Sequence, residues 1–203
     1  MNYDEWLKER ENGIGGSECS AILGLNPYIT NAELWEYKTG SKIKPDISDK
    51  ERVIYGKNAE LPLIEIFKLD YPEYDVIHND FDLKRSKKYP FLFGSMDGEL
   101  INKTNGKQGI LEIKTALILN PIEWKHWDNQ IPQNYYCQIL HYFIVNPEKE
   151  FAIVKAQITS IKENETGFKQ VKHETKHYYF ERSKCIQDIS YLEEKEIKFW
   201  NDF

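Results

Sequence analysis

After Leu69 the hydrophobic pattern of this chain changes period, and that change limits it to folds that mix helices with a sheet. Up to that point Ile54, Leu61, Ile64 and Phe67 recur at helical spacing, which predicts a long helix to about Leu69 with a bend near Pro62. Ahead of it, Tyr3 to Arg10 is a short amphipathic segment, and Ser17 is placed to cap a helix that ends at Gly24. Thr30 and Glu33 make a capping box for a further helix that Gly40 stops, and Ser48 with Glu51 repeats the box before the long helix. Short β-rich runs follow at Tyr74 to Ile77, Phe91 to Phe93, Gly98 to Ile101 and Gly109 to Ala116, with Asn102 to Lys107 as a hairpin turn. A helix over Gln133 to Val145 is halted by Asn146-Pro147; strands at Phe151 to Ile158 and Lys176 to Glu181 precede a last helix from Cys185 to Trp200. This order predicts an α/β or α+β fold, a central mixed β-sheet flanked by helices. No repeat or Pro/Gly/Ser-rich linker interrupts the 203 residues, so residues 1–203 read as one domain, mainly helical over 1–70 and sheet-bearing over 71–203.

Composition excludes several classes of function. Three cysteines, Cys19, Cys137 and Cys185, are widely spaced and form no CxxC pair, which argues against a disulfide framework and against a structural zinc site. No apolar run approaches the roughly 20 residues of a membrane helix. The charged opening, MNYDEWLKER, lacks the apolar segment of a signal peptide, so the expected location is cytoplasmic. Neither GxxxxGK[ST] nor GxGxxG occurs, so no nucleotide cofactor is expected. The net charge of −6 is not that of a general nucleic-acid binder, yet a metal-dependent nuclease must itself carry clustered carboxylates. Lys84, Arg85, Lys87 and Lys88, and Lys103 with Lys107, are local basic groups that read equally as phosphate contacts or as solvated loops. The five histidines show no metal-ligand spacing and read as surface or core residues, and Trp124 and Trp127 read as packing rather than base stacking.

The chemistry concentrates at Asp97 and at Glu112-Ile113-Lys114, two segments joined across a hairpin. Side chains alternate along a strand, so Glu112 and Lys114 project to one face while Leu111 and Ile113 enter the core on the other. Asp97 on the adjacent strand reaches the same point. Two carboxylates beside an ammonium suit a hard cation coupled to a water-orienting group. Taken alone, the same residues also fit a salt bridge on an exposed sheet edge.

Gly94-Ser95-Met96-Asp97-Gly98 with Leu111-Glu112-Ile113-Lys114 resembles the bipartite motif of the PD-(D/E)XK nuclease superfamily. Within it the whole chain resembles the phage lambda-type exonucleases, the YqaJ-like viral recombinase family. Trp6-x-x-x-Arg10-x-x-x-Ile14-x-x-Ser17 with Gly24-Leu25-x-Pro27-x-x-Thr30 is similar to that family's opening, Gly56-Lys57-x-x-Glu60 to its acidic helix, and Pro132-x-x-Tyr135-x-x-Gln138-x-x-His141-Tyr142 to the helix after its E-x-K strand. Met96 stands where the superfamily name has Pro, which removes no ligand.

The resemblance implies a restriction-endonuclease-like core and a Mg2+-dependent 5′-to-3′ exonuclease, with Mn2+ as a substitute and one or two ions bound. It makes Asp97 and Glu112 metal ligands with the Ile113 backbone carbonyl as a third, Lys114 the group that acts on water and phosphate, Glu60 support for a second ion, and Gln138 and Tyr135 braces for the scissile phosphate. Arg10 and Ser17 match positions that hold a terminal 5′ phosphate; a surface Arg and a simple helix cap are the plain alternatives. By the same resemblance the substrate is the end of linear double-stranded DNA, the product a 3′ overhang, the partner a single-strand annealing protein, the assembly a ring-shaped trimer, and the setting a bacterial cell with the gene on a phage or prophage. A PD-(D/E)XK endonuclease of restriction or repair type and a non-catalytic DNA-binding module on the same fold remain the alternatives.

Overall fold

The structure, a computed structural model, describes residues 1–163 and 167–202. Helix α1 (Tyr3–Glu11) opens with a capping box between Asn2 and Glu5, followed by the two-residue strand β1 (Ile14–Gly15) and the short helix α2 (Cys19–Ile22). Ser17 does not cap α2. Glu18 occupies that position without a side-chain cap, because its carboxylate is drawn to the Gly15 N–H and to Lys38 and Lys44, while Ser17 stays exposed. Helix α3 (Asn31–Lys38) starts at the expected Thr30/Glu33 box, and Gly40, with φ +73°, lies just past its end. Helix α4 (Glu51–Asp70) begins after Lys50; the Ser48 box does not form, since the Ser48 N–H donates to the Asp46 carboxylate in a turn.

The buried face of α4 is Leu63, Ile64 and Phe67, whereas Ile54 and Leu61 remain 46% and 49% exposed. The C-terminal half of the helix packs its apolar face on the sheet, while Lys57, Glu60 and Leu61, before Pro62, line a cavity. Strands β2 (Tyr74–Ile77), β3 (Lys84–Arg85), β4 (Leu92–Gly94), β5 (Gly98–Asn102) and β6 (Gln108–Ile118) come next, then helices α5 (Pro121–Trp124) and α6 (Gln133–Val145), strands β7 (Phe151–Glu163) and β8 (Lys169–Glu181), and helix α7 (Ile186–Asn201).

The single mixed sheet expected from sequence is two mixed sheets. Five strands run in the order β2-β5-β6-β7-β8, with β6 and β7 parallel and the other pairs antiparallel. The run around Phe91–Phe93 leaves that sheet as β4 and pairs with β1 and β3 instead. A parallel neighbour requires a crossover, and α6 supplies it between β6 and β7. Leu111 and Ile113 pack on α4 with Leu63, Ile64 and Phe67, while Ile110 and Ile118 face the opposite layer with Ile139, Phe143 and Leu192. Both faces of β6 are therefore covered, and the exposed-edge reading of Glu112 fails: it is 2% exposed, on the middle strand of five. Trp127 is core, 4% exposed, and no described helix is long and apolar enough to cross a membrane.

Candidate active site

Alternation along β6 sends Glu112 and Lys114 toward α6, where Gln138 meets both. The Lys114 Nζ donates to Glu112 Oε1 at 2.7 Å and to Gln138 Oε1 at 2.8 Å, and Gln138 Nε2 donates to the same Glu112 oxygen at 2.7 Å. Tyr135, one turn earlier on α6, lays its ring 4.7 Å from Lys114 Nζ. Asp97 precedes β5 and is tied to the E-x-K strand by its Oδ2, which accepts the Ile113 N–H at 2.6 Å. Tyr142 links the two halves: its hydroxyl accepts from Gln138 Nε2 and donates to the Ser95 carbonyl, each at 2.7 Å. That ring fits because Gly16 and Gly94 flank it; a Cβ at either would lie 2.7 or 2.9 Å from a Tyr142 ring carbon. Alanine at Gly94 would therefore push Tyr142 off Ser95.

These groups floor a cavity of about 550 Å³ whose walls bring together Arg10, Ser17, Glu60, Asp97, Glu112 and Gln138. Lys114 and Tyr135 are the expected side chains that do not line it: Lys114 joins through its bonds to Glu112 and Gln138. Tyr135 reaches Lys114 from outside the cavity, packed on Trp127, and is not beside Arg10 or Ser17. The cavity also holds residues that sequence reasoning missed. His78, read as surface or core, contacts the Asp97 carbonyl through Nδ1 at 2.6 Å and Asp80 through Nε2 at 3.2 Å, and Lys57 lines the same wall. Nothing in the local sequence around His78 signals this, because the contact spans a chain separation of 19 residues.

Electrostatics set this floor apart. Burial, and then the neighbouring Glu60, hold the Asp97 carboxyl up to about 7 despite the opposing pull of Lys114. Burial and Asp97 push Glu112 to about 8, with Lys114 and Gln138 opposing. Burial likewise raises Glu60. Burial tends to discharge Lys114, but Glu112 and Asp97 more than reverse it, so its ammonium stays protonated. Glu112 Oε2 is shut from solvent and has no hydrogen-bond partner. Three carboxylates converging on one ammonium, with a lone carboxylate oxygen among them, form the all-oxygen donor set of a hard divalent cation, and such an ion fits here.

A pH dependence follows. Carboxyls raised above their unfolded values of 3.8 and 4.5 cost no stability below those values; metal-free protein loses stability as pH rises from there, the loss being complete once pH passes about 7 to 8. A divalent cation competes with those protons. Mg2+ is therefore expected to raise the melting temperature by several degrees at pH 8 and by about nothing at pH 5. Differential scanning fluorimetry at both pH values checks this, and equal shifts would detach the carboxylates from cation binding.

Apart from Lys87, the basic groups noted in the sequence are paired elsewhere. Arg85 holds Glu9, Lys84 holds Asp82 and Glu99, Lys88 holds Glu193, Lys103 holds Asp75 and Lys107 holds Glu150. Arg10 differs: its guanidinium stacks 4.2 Å over the Trp6 ring and has no ion-pair partner among the described residues.

The fold is that of a known nuclease. The chain matches the alkaline exonuclease LHK-Exo from Laribacter hongkongensis with a TM-score of 0.63 at 13% identity, covering 98% of this chain and 91% of that one. The same enzyme in complex with dAMP matches at a TM-score of 0.56 and 14% identity, with 98% and 95% covered. Residues 5–178 match the family described as the YqaJ-like viral recombinase domain, and the chain belongs to that family. It is 31% identical over 215 residues to the uncharacterized protein YqaJ of Bacillus subtilis strain 168, which it matches along its whole length while spanning 56% of that relative.

Proposed function

We propose that the chain is a divalent-metal-dependent exonuclease that degrades one strand of linear double-stranded DNA from its 5′ end, leaving a 3′ overhang. The observation that carries this reading is the joint cavity: buried Asp97 and Glu112 with an unpartnered Glu112 oxygen, Lys114 bonded to Glu112, and the unpaired cation Arg10 on the wall. Family membership supports it, and so does the likeness to an alkaline exonuclease. A single-strand annealing protein would take the overhang, and the working assembly would be a homo-oligomeric ring of three.

Asp97 and Glu112, with the Ile113 backbone carbonyl, would hold Mg2+, for which Mn2+ would substitute, and Glu60 would support a second ion. Such an ion supplies charge neutralisation at the phosphate and activation of the attacking water. The chain's own groups do the rest. Lys114, kept protonated by Glu112 and Asp97, is a donor rather than a base, aimed to stabilise charge building on the phosphate oxygens. Gln138 fixes that ammonium and Glu112 in one geometry. Arg10, pre-oriented by Trp6, offers a terminal phosphate two parallel charge-assisted hydrogen bonds, and Ser17 stands exposed on the same wall.

Incubation with linear and closed circular duplex in Mg2+, followed by product sizing, tests the reading. Shortening of the linear strands with circles intact is expected; cut circles would favour an endonuclease. On linear substrate, 5′-phosphorylated ends should be degraded faster than 5′-hydroxyl ends. Arg10→Ala should erase most of that preference, a loss of about ten- to hundredfold, on the order of 1.5–3 kcal/mol for hydrogen bonds to a charged group. Equal wild-type rates on both ends would remove the phosphate clamp.

A further inference from the structure

Outside the cavity, the ligand atoms of Cys19, His141 and Glu196 lie within 4.8 Å of one another, all in fully buried side chains. Each residue already makes a hydrogen bond, and of their ligand atoms Glu196 Oε2 is buried without a partner. The Cys19 thiol donates to the Gly16 carbonyl at 3.1 Å, His141 Nδ1 meets Glu196 Oε1 at 2.6 Å, and His141 Nε2 meets the Phe93 carbonyl at 2.8 Å. A carbonyl can only accept, so Nε2 carries hydrogen; a carboxylate at 2.6 Å takes the hydrogen of Nδ1. Burial opposes charge on the ring, but Glu196 and the Phe93 carbonyl outweigh it and favour the doubly donating imidazolium between α7 and β4, so the cluster reads as a strap rather than a metal site.

What the strap holds is the arm that delivers Asp97. That residue lies just before β5, so its position depends on the segment Phe93 to Met96. Two successive residues of α6 grip alternate carbonyls of that segment: His141 holds Phe93 and Tyr142 holds Ser95. One turn earlier, Gln138 of the same helix holds Glu112. Helix α6 therefore sets the spacing between the two carboxylates, one through Gln138 and the other through His141 and Tyr142. We propose that His141 is a positioning residue for Asp97, kept in its doubly donating form by Glu196 of the C-terminal helix, which lies beyond the family-matched residues 5–178. This rests on the metal-nuclease reading of the cavity.

The test uses the full chain with three variants. In His141→Phe/Glu196→Leu both charges become apolar side chains of similar bulk, an exchange that commonly leaves stability unchanged or higher. A protein that melts at or above the wild-type temperature is expected, with kcat down at least about tenfold, KM for DNA within about twofold, and Mn2+ affinity by calorimetry without DNA about tenfold weaker, the usual scale for groups that orient ligands. His141→Asn keeps a donor near the Nδ1 position and loses the one to Phe93; His141→Gln does the reverse. Asn should reproduce the defect and Gln should recover most of it. A fold-competent double variant with wild-type kcat and Mn2+ affinity would overturn the proposal. So would Asn and Gln variants equally impaired in proportion to lost folding, or one equivalent of zinc retained by wild type after chelator dialysis. Should the double variant not fold, the Asn and Gln pair decides. If wild type binds Mn2+ but cuts no DNA, the nuclease reading fails while the affinity series still tests the strap.

Discussion

Glu112→Gln is expected to abolish cleavage and, in metal-free protein at pH 8, to melt higher than wild type. The two effects share one cause. Glu112 is fully desolvated, carries an oxygen with no partner, and sits against Asp97, so ionising it without a cation is unfavourable. The glutamine amide keeps the shape and removes the charge. The stabilisation should be on the order of 1–3 kcal/mol, the scale for an unsatisfied buried polar group. For a chain of this size that is about 2–12 °C. It should vanish near pH 5, where wild-type Glu112 is itself protonated. Asp97→Asn should behave alike, with a smaller gain because Asp97 accepts the Ile113 N–H. In both variants the Mg2+-induced melting shift should disappear and activity should fall at least about 10³-fold, since an oxygen ligand is lost outright. Either variant cleaving near the wild-type rate would mean the cation is held elsewhere.

Lys114→Ala should lower the chemical step by about 10²-fold or more, the range for a positioned electrostatic or acid-base group. Its ammonium bonds to Glu112 and Gln138 at once and lies under the Tyr135 ring, so the variant also leaves Gln138 Oε1 without its donor and Glu112 without its ammonium partner. Proton binding by Glu112 should strengthen further, and at pH 8 the cation requirement should rise only modestly. Single-turnover rates with calorimetry separate the two roles. Lost Mg2+ binding with normal residual chemistry would make Lys114 structural.

The helices and the E-x-K strand could be read in advance because their signals are local. The Thr30/Glu33 box and the apolar face of Gln133 to Val145 each lie within one element, and the alternation from Leu111 to Lys114 lies within one strand. Ser17 and Ser48 carry cap-like local signals but are not caps, because carboxylates close in sequence, Glu18 and Asp46, take over the local backbone. The second sheet was hidden for a different reason: β1 and β3 have two residues each, too few for any period, and exist through pairing with β4. At the site, Asp97, Glu112 and Lys114 are legible from motif spacing, and Glu60 and Gln138 through the family resemblance. His78, Tyr142 and the His141-Glu196 strap are not, because each acts across 19 to 55 residues of chain.

The most direct measurement is strand-specific degradation of a linear duplex in Mg2+, one end phosphorylated at 5′, with separate labels at the 5′ and 3′ termini of the attacked strand. Release of the 5′ label first, with the complementary strand intact as a growing 3′ overhang and no cleavage in chelator, is the expected result. Release of the 3′ label first, or cleavage within circular duplex, would contradict it.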